Sequence, residues 1–470
     1  MGFLTFLFAI AALVWTIPIV RAGRMFLMPL AILAVGTVLG PAFFAIDGPI
    51  QLSLDRVLFF LMVALSVIAW RTGQISMPKL NRVDYLVIAT VVWFYWSAIS
   101  GGTSPSSSPT ARWLFYIAMP AGMYAIARVM PVKPQDIRWL LIGSCGLGVY
   151  LSGTAVLEIS GIHGLVFPRF IVDPEVWEFY GRGRGPLLNP SGNGIVISIA
   201  LAAATIGFMS VPGRKKTVYA ILMLCTLLGV YATLTRSAWM GAVAVVAVMA
   251  LYHAPRWARV LAISSGLILG GLSATDLKDQ FMQMKRDKNL TASDAEKSVQ
   301  LRPLLAIVGW EMFQDRPIVG HGFGHYMEKN GPYCDDRSYD MPLPEARPYN
   351  QHNVFLSVLV DTGLVGFSFF GGWFAMLIFT SLQLVRNRLA APEVRQMGWL
   401  LLGTILAYTC NGMFQDVLII PMVHMYLFFL GGLAVTALQT RLRPSSQNES
   451  PVRQPFQVDT FPPRTSAFPG

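Results

Sequence analysis

Charge is what this sequence lacks. Only 13% of its 470 residues are Asp, Glu, Lys or Arg, about half the share near 25% that a soluble globular domain carries. That scarcity excludes a water-soluble enzyme of this length. Cysteine is scarce as well: Cys145, Cys225, Cys334 and Cys410 are scattered along the chain. No Cys-x-x-Cys pair or Cys/His metal spacing joins them, which excludes a disulfide framework and a zinc module. Cys334 reads as a lone thiol in a polar loop. Basic residues are missing ahead of the first apolar run, where Arg21 and Arg24 follow instead, so residues 3–20 read as a retained helix and not as a cleaved signal.

What is present in quantity is apolar: 54% of residues are hydrophobic and the mean hydropathy is +0.53. A helix crossing a ~30 Å hydrocarbon core needs about 20 apolar residues. Such runs centre on 3–20, 26–46, 55–70, 83–99, 111–128, 138–159, 191–210, 217–234, 237–252, 257–273, 353–380, 398–416 and 418–438. The expected fold is therefore an all-α polytopic membrane protein with about 12–13 transmembrane helices. An N-terminal bundle over 1–273 is followed by a large, partly helical outer loop at 274–352, C-terminal helices over 353–438, and a Pro-, Ser- and Gln-rich tail at 439–470 that reads as a disordered cytoplasmic segment.

The formal charge of +11 is a signal of sidedness. With the N-terminus outside, the inward loops hold Arg21 and Arg24; Arg71, Lys79 and Arg82; Arg128, Lys133 and Arg138; Arg214, Lys215 and Lys216; Arg256 and Arg259; and Arg386, Arg388 and Arg395. The short outward connections hold only Arg56, Arg112, Arg169, Arg182, Arg184 and Arg236. Lys and Arg collect in cytoplasmic loops, so the N-terminus is expected outside and the C-terminus inside. Positive charge spent on topology leaves no case for a nucleic-acid partner. Two segments then lie outside, 160–190 and 274–352. In the second, Ser293-Asp294-Ala295-Glu296 has the capping-box pattern. Leu301, Leu305, Val308 and Met312 then repeat at the spacing of an amphipathic helix that stops at Asp315-Arg316-Pro317.

The most informative residues are Arg347-Pro348-Tyr349-Asn350-Gln351-His352-Asn353, which run directly into the helix at 353–380. His352 stands at its N-terminal turn, where the macrodipole disfavours imidazolium, and a neutral imidazole is what a general base requires. On a regular helix, positions 352, 356, 359, 363 and 366 share one face, with Gly363 and Gly366 letting a neighbour approach closely. An interfacial cap is the plainer alternative for a single histidine, and membrane-interface snorkelling is the plainer alternative for Arg236.

His352-Asn353, nine residues, then Gly363-Leu364-Val365-Gly366 resembles the His-Asn-x9-Gly-x-x-Gly signature of the O-antigen ligase and O-antigen polymerase superfamily. Leu234-Thr235-Arg236-Ser237 resembles that family's arginine-bearing helix start. Arg302 followed by Trp310, Pro317 and Gly320-His321-Gly322-Phe323-Gly324 is similar to its outer-loop pattern, and Arg184-Gly185-Pro186 with Asn189-Pro190 resembles a further signature. Upstream of residue 184 the likeness is one of hydropathy alone. The resemblance implies a bacterial inner-membrane glycosyltransferase that works on the outer, periplasmic face. Its donor would be an undecaprenyl-diphosphate-linked glycan and its acceptor a saccharide or a lipid-linked sugar, with neither metal nor other cofactor. It further implies His352 as the base activating the acceptor hydroxyl, with Arg236 and Arg302 binding the donor diphosphate and Arg184 assisting. Guanidinium groups suit that task because they stay charged and bind phosphate oxygens bidentately.

Other candidates carry less. His321 and His325 are four apart, but the intervening Gly-Phe-Gly argues against a helix and no partner ligand is placed, so a metal site is not expected. The glycines at 320, 322 and 324 lack the Lys-Ser/Thr of a P-loop and read as a turn. Asp361 lies nine residues past His352, about 180° around a regular helix, and reads with Asp416 as a buried structural carboxylate. His424 has no partner visible in the sequence. A transporter or flippase of lipid-linked saccharides would share the helix count. It would, however, place its polar groups at the midplane within repeats, and no repeat is evident.

Overall fold

The computed structural model describes residues 25–43, 53–102, 108–176, 178–261, 264–265 and 292–440. The expected helix at 3–20, most of the run at 257–273, the opening of the outer loop and the tail lie outside these residues, as do the side chains of the expected capping box. Among the described residues the chain forms helices and no strand, as an all-α membrane protein should.

In chain order the helices are α1 Leu27–Leu39, α2 Leu54–Arg71, α3 Arg82–Ser100, α4 Pro109–Trp113, α5 Met119–Val129, α6 Pro134–Ser160, α7 Pro190–Ser210, α8 Arg214–Ala232, α9 Arg236–His253, α10 Ala292–Asp315, α11 Tyr326–Lys329, α12 Gly331–Cys334, α13 Val354–Arg386, α14 Pro392–Gly412 and α15 Pro421–Thr440. Seven of the described helices, α3, α6, α7, α8, α9, α13 and α15, are long and apolar enough to cross a bilayer. The remaining expected spans fall short for visible reasons. α1 has only 13 residues, α2 carries Asp55, Arg56 and Arg71, and α14 opens on Glu393 and Arg395.

The spans differ in position. The most apolar windows of α7 and α15 are 89% buried and those of α8 only 22%, so α7 and α15 form the centre and α8 a flank. Their starts follow from capping. Asn189 and Pro190 open α7, with the Asn189 side chain accepting from the amides of Ser191 and Gly192 at 3.0 Å. Asn81 and Asp84 close a reciprocal capping box at α3.

The run at 111–128 is not one continuous α-helix, since a π-helical turn at Leu114–Ala118 separates α4 from α5. Pro120 has no amide to offer the carbonyl four residues back. That carbonyl, of Tyr116, is hydrogen-bonded by His424 Nδ1 at 3.1 Å, while His424 Nε2 meets the Tyr408 hydroxyl at 2.8 Å. The partners that the sequence did not disclose for His424 are thus a proline-freed carbonyl and a phenol.

Arg128, counted among the inward loop charges, is instead buried. It forms a bidentate pair with Asp84, Nε to Oδ1 at 2.8 Å and Nη2 to Oδ2 at 3.0 Å, and also reaches Thr436 and Gln439 of α15. This pair ties α3, α5 and α15 together.

The outer segment folds against the bundle around its own small core. Leu304, Leu305, Val308 and Met312 of α10 pack with Tyr326, Cys334, Leu343, Ala346 and Val360 of α13. The amphipathic helix is therefore present and ends at Asp315 as the sequence indicates. Cys334 is not a lone thiol in a polar loop: it is fully buried in this second core, where the apolar face of α10 has covered it.

Candidate functional site

α13 is not the regular helix assumed in aligning His352 with Gly363 and Gly366. Gly363 has φ +65°, ψ −171°, and splits α13 at a kink. Such a conformation suits glycine, which has no Cβ to clash. The kink frees backbone groups, and residues 317–322 of the outer loop take them up. His321 N donates to Val360 O and Gly322 N to Asp361 O, both at 2.9 Å, while Leu364 N donates to Pro317 O at 2.8 Å. A Cβ on Gly363 would overlap the Ile318 carbonyl. Gly366 is closely bounded by the side chains of Thr362 and Trp93.

The spaced glycines form the expected turn, with φ of +73°, +108° and +83° at Gly320, Gly322 and Gly324. The turn is clamped from both sides. Asp361 Oδ2 accepts from Gly324 N at 3.0 Å, and the Ser97 hydroxyl of α3 donates to Asp361 O and accepts from Phe323 N, each at 3.0 Å. His321 Nε2 lies 2.7 Å from Met312 O and His325 Nε2 lies 3.0 Å from Ala98 O, so these imidazoles bond separate carbonyls. Asp361 is the buried structural carboxylate its position implied, since it fixes the turn.

This docking sets the start of α13 under α10. Asn353 caps the helix, its Oδ1 accepting from Phe355 N at 2.9 Å and Leu356 N at 3.2 Å. The Asn of the His-Asn pair is thus an N-cap that fixes the chain direction at His352. The Gln415 side chain hydrogen-bonds His352, and Arg302 of α10 is close enough to repel its protonated form. Burial, first, and the Arg302 guanidinium, second, lower the pKa of His352 below the ordinary imidazole value, while the Gln415 hydrogen bond opposes them. A neutral ring at pH 7 follows.

Arg302 in turn lies over the Phe414 ring, 5.5 Å from its centroid. Its pKa is lowered by burial and then by the neighbouring Arg236 guanidinium. Arg236 opens α9. The adjacent Ser237 hydroxyl donates to Asn411 Oδ1 at 3.0 Å, joining the start of α9 to the end of α14 just before Phe414 and Gln415. His352, Arg302 and Arg236 therefore meet at one end of the bundle, from three separate stretches of chain.

Arg184 does not join them as a ligand-facing group. It is fully buried, and the five guanidinium N–H donors are spent on backbone carbonyls: Nε and Nη2 on Ile171, Nη2 also on Asp173, and Nη1 on Val176 and Glu178. No donor remains for a phosphate, and the side chain instead holds the 171–184 loop in shape. Arg182, two residues earlier, is the loop arginine beside the α9 start. Its Nη2 donates to Thr235 Oγ1 at 2.6 Å and to Leu234 O at 3.2 Å.

Sequence reasoning missed Gln415, Phe414 and Arg182. Gln415 had one signal, its place beside Asp416 where an apolar run turns back. Asp416 anchors that turn by accepting from Ser357 Oγ at 3.1 Å and Leu418 N at 3.2 Å, and so positions Gln415. A cavity of about 290 Å³, lined in part by Arg56, Phe179, Asn189 and Ile420, adjoins the same turn.

The imidazole and the two clustered arginines stand at one end of a helical bundle whose long apolar helices mark a membrane protein. Residues 219–371 match the family model described as O-antigen ligase, so this stretch is similar to the O-antigen ligase and polymerase superfamily, and the match supports a glycosyl-transferring membrane enzyme in general terms. The matched stretch contains Arg236, Arg302, His352, Asn353, Gly363 and Gly366 but not Arg184. No curated protein matches the chain.

Proposed function

We propose that the protein transfers or polymerises a glycan from an undecaprenyl-diphosphate-linked donor onto an acceptor sugar hydroxyl, with His352 as the base. The observation that carries this reading is the meeting of His352, Arg302 and Arg236, one neutral base beside two guanidiniums. The Gln415 hydrogen bond favours imidazolium, as expected if its amide oxygen accepts from one ring nitrogen. The other nitrogen is then left with a lone pair.

In the proposed step that nitrogen takes the acceptor hydroxyl proton as the hydroxyl oxygen bonds to the anomeric carbon. The bond from that carbon to the diphosphate oxygen breaks, and the lipid diphosphate leaves with its electron pair. The negative charge that develops falls to Arg236 and Arg302, which stay ionised in this partly buried setting and can donate to phosphate oxygens bidentately. Attack opposite the leaving group inverts the anomeric centre. The active end would face the periplasm, which accords with the charge bias of the loops.

The test is the fate of the donor in cells carrying His352→Ala. Lipid-linked glycan should accumulate while the variant is inserted at normal levels, and a fully active inserted variant would remove His352 as the base. Product analysis then separates the two acceptor classes: longer repeats mark a polymerase, and glycan moved to another acceptor marks a ligase.

A further inference from the structure

A cavity of about 1140 Å³ lies not at this site but at the opposite end of α13, where Val385 and Arg388 line it. Beyond its kink at Gly363, α13 runs on to Arg386, roughly 35 Å at 1.5 Å per residue and enough to cross a bilayer's hydrocarbon thickness, so the cavity and His352 serve opposite membrane faces. Its rim is basic. Arg138 of α6, Lys215 of α8, Arg388 and Arg395 line it against one acid, Glu393. Glu393 is already taken by Arg138, at 2.5 Å and 3.0 Å. The Arg395 Nε is buried without a hydrogen-bond partner among the described residues. α8 and α14 both begin at this rim, and neither Gly213 nor Ala391 supplies a side-chain cap to their first amides. Basic side chains together with open helix N-termini favour a phosphate.

The walls below the rim change character. One to two turns further along, α6 presents Leu141, Ile142 and Cys145 and α8 presents Val218 and Leu222. Ile142 and Val218 are exposed on the flank that faces lipid. Tyr252 and Trp399 stand edge to face at 4.9 Å beside the rim, the level at which such aromatics sit in membranes. A free phosphate has no use for an apolar slot open to the bilayer. From this geometry we infer that the cavity binds an anionic phospholipid, phosphate at the basic rim and an acyl chain along α6 and α8, on the face opposite the catalytic end. Basic pockets between helices on the cytoplasmic side bind lipid headgroups of this kind.

The test uses the full-length protein in nanodiscs of phosphatidylcholine alone or doped with phosphatidylglycerol, read by Tm and by native mass spectrometry of bound lipid. Phosphatidylglycerol should raise Tm by several degrees, as a ligand selective for the folded state must, and high salt should erode the rise. The Arg388→Gln/Arg395→Gln double variant should lose at least half of it, whereas Arg71→Gln/Lys79→Gln, equal in charge and outside the cavity, should keep it. If the double variant does not fold, Lys215→Gln carries the same comparison. An equal rise in both variants, no rise at all, or an equal rise with inorganic phosphate in pure phosphatidylcholine discs would overturn the proposal.

Discussion

Gly320 and Gly363 meet backbone to backbone: a Cβ built on Gly320 would stand 2.6 Å from the carbonyl carbon of Asp361 and from the amide of Gly363 itself. Neither position can hold a side chain, because each glycine has positive φ and each faces main chain. The kink in α13 and the glycine turn of the outer loop are therefore two halves of one joint, and this joint seats α10, with Arg302, over His352.

Replacing Gly363 by Ala should open the joint. Forcing a side chain into that backbone region costs about 1–3 kcal/mol, before the overlap with Ile318 is counted. The outer loop should become susceptible to added protease at residues 316–324 and activity should fall, with the protein still inserted. Protection equal to that of the unsubstituted protein would contradict the joint.

The electrostatics around His352 predict opposite pH shifts for two neighbours. Arg302 lowers the His352 pKa and Gln415 raises it. Activity of a general base is lost as pH falls through its pKa, so Arg302→Gln should move the acidic limb of kcat/KM to higher pH. Gln415→Leu should move it to lower pH. Arg302→Lys, which keeps the charge, should leave the limb near its original place while weakening donor use. Limbs moving in the same direction for the first two variants would rule out the arrangement.

The two arginines assigned opposite fates by burial offer a separate check. Arg236→Ala should lower kcat by about 10²–10³, the scale for loss of one oxyanion-stabilising donor, with normal yields of folded protein. Arg184→Gln strands buried carbonyls of the 171–184 loop and should instead show itself as a lower Tm and lower yield. Comparing activity per folded molecule for the two variants distinguishes ligand contact from loop support.

The Arg128–Asp84 pair predicts a stability effect far from the site. Removing one partner of a buried ion pair leaves the other charge uncompensated, at a cost of about 3–5 kcal/mol. Asp84→Asn should therefore lower Tm markedly, and Asp84→Asn with Arg128→Met should recover part of the loss. Thermal unfolding in detergent measures both.

Hydropathy made the all-α membrane fold legible, and periodicity made α10 legible down to its end at Asp315. His352, Arg302 and Arg236 were legible as residues of interest through spacing and resemblance, though their meeting was not, since it depends on how α9, α10 and α13 pack. What escaped the sequence has physical causes. A helix-face alignment presumes constant φ and ψ, and Gly363 breaks that presumption. Arginine in an outward loop looks the same whether it faces a ligand or, like Arg184, spends its donors on its own backbone. Gln415 lies far along the chain from His352, marked only by its place beside Asp416. The buried Arg128 resembles any loop charge until its Asp84 partner is seen. Seven clear spans stand among the described residues, while the expected run at 3–20 and most of that at 257–273 lie outside them.

The most direct test of the central claim is transfer by purified protein, supplied with undecaprenyl-diphosphate-linked glycan and acceptor, for His352→Ala beside the unsubstituted enzyme. The variant should still bind donor through Arg236 and Arg302, with little change in donor affinity, while forming new glycosidic bonds at a rate lower by about 10²–10⁴, the range for loss of a general base. Transfer by the variant at the unsubstituted rate would contradict it.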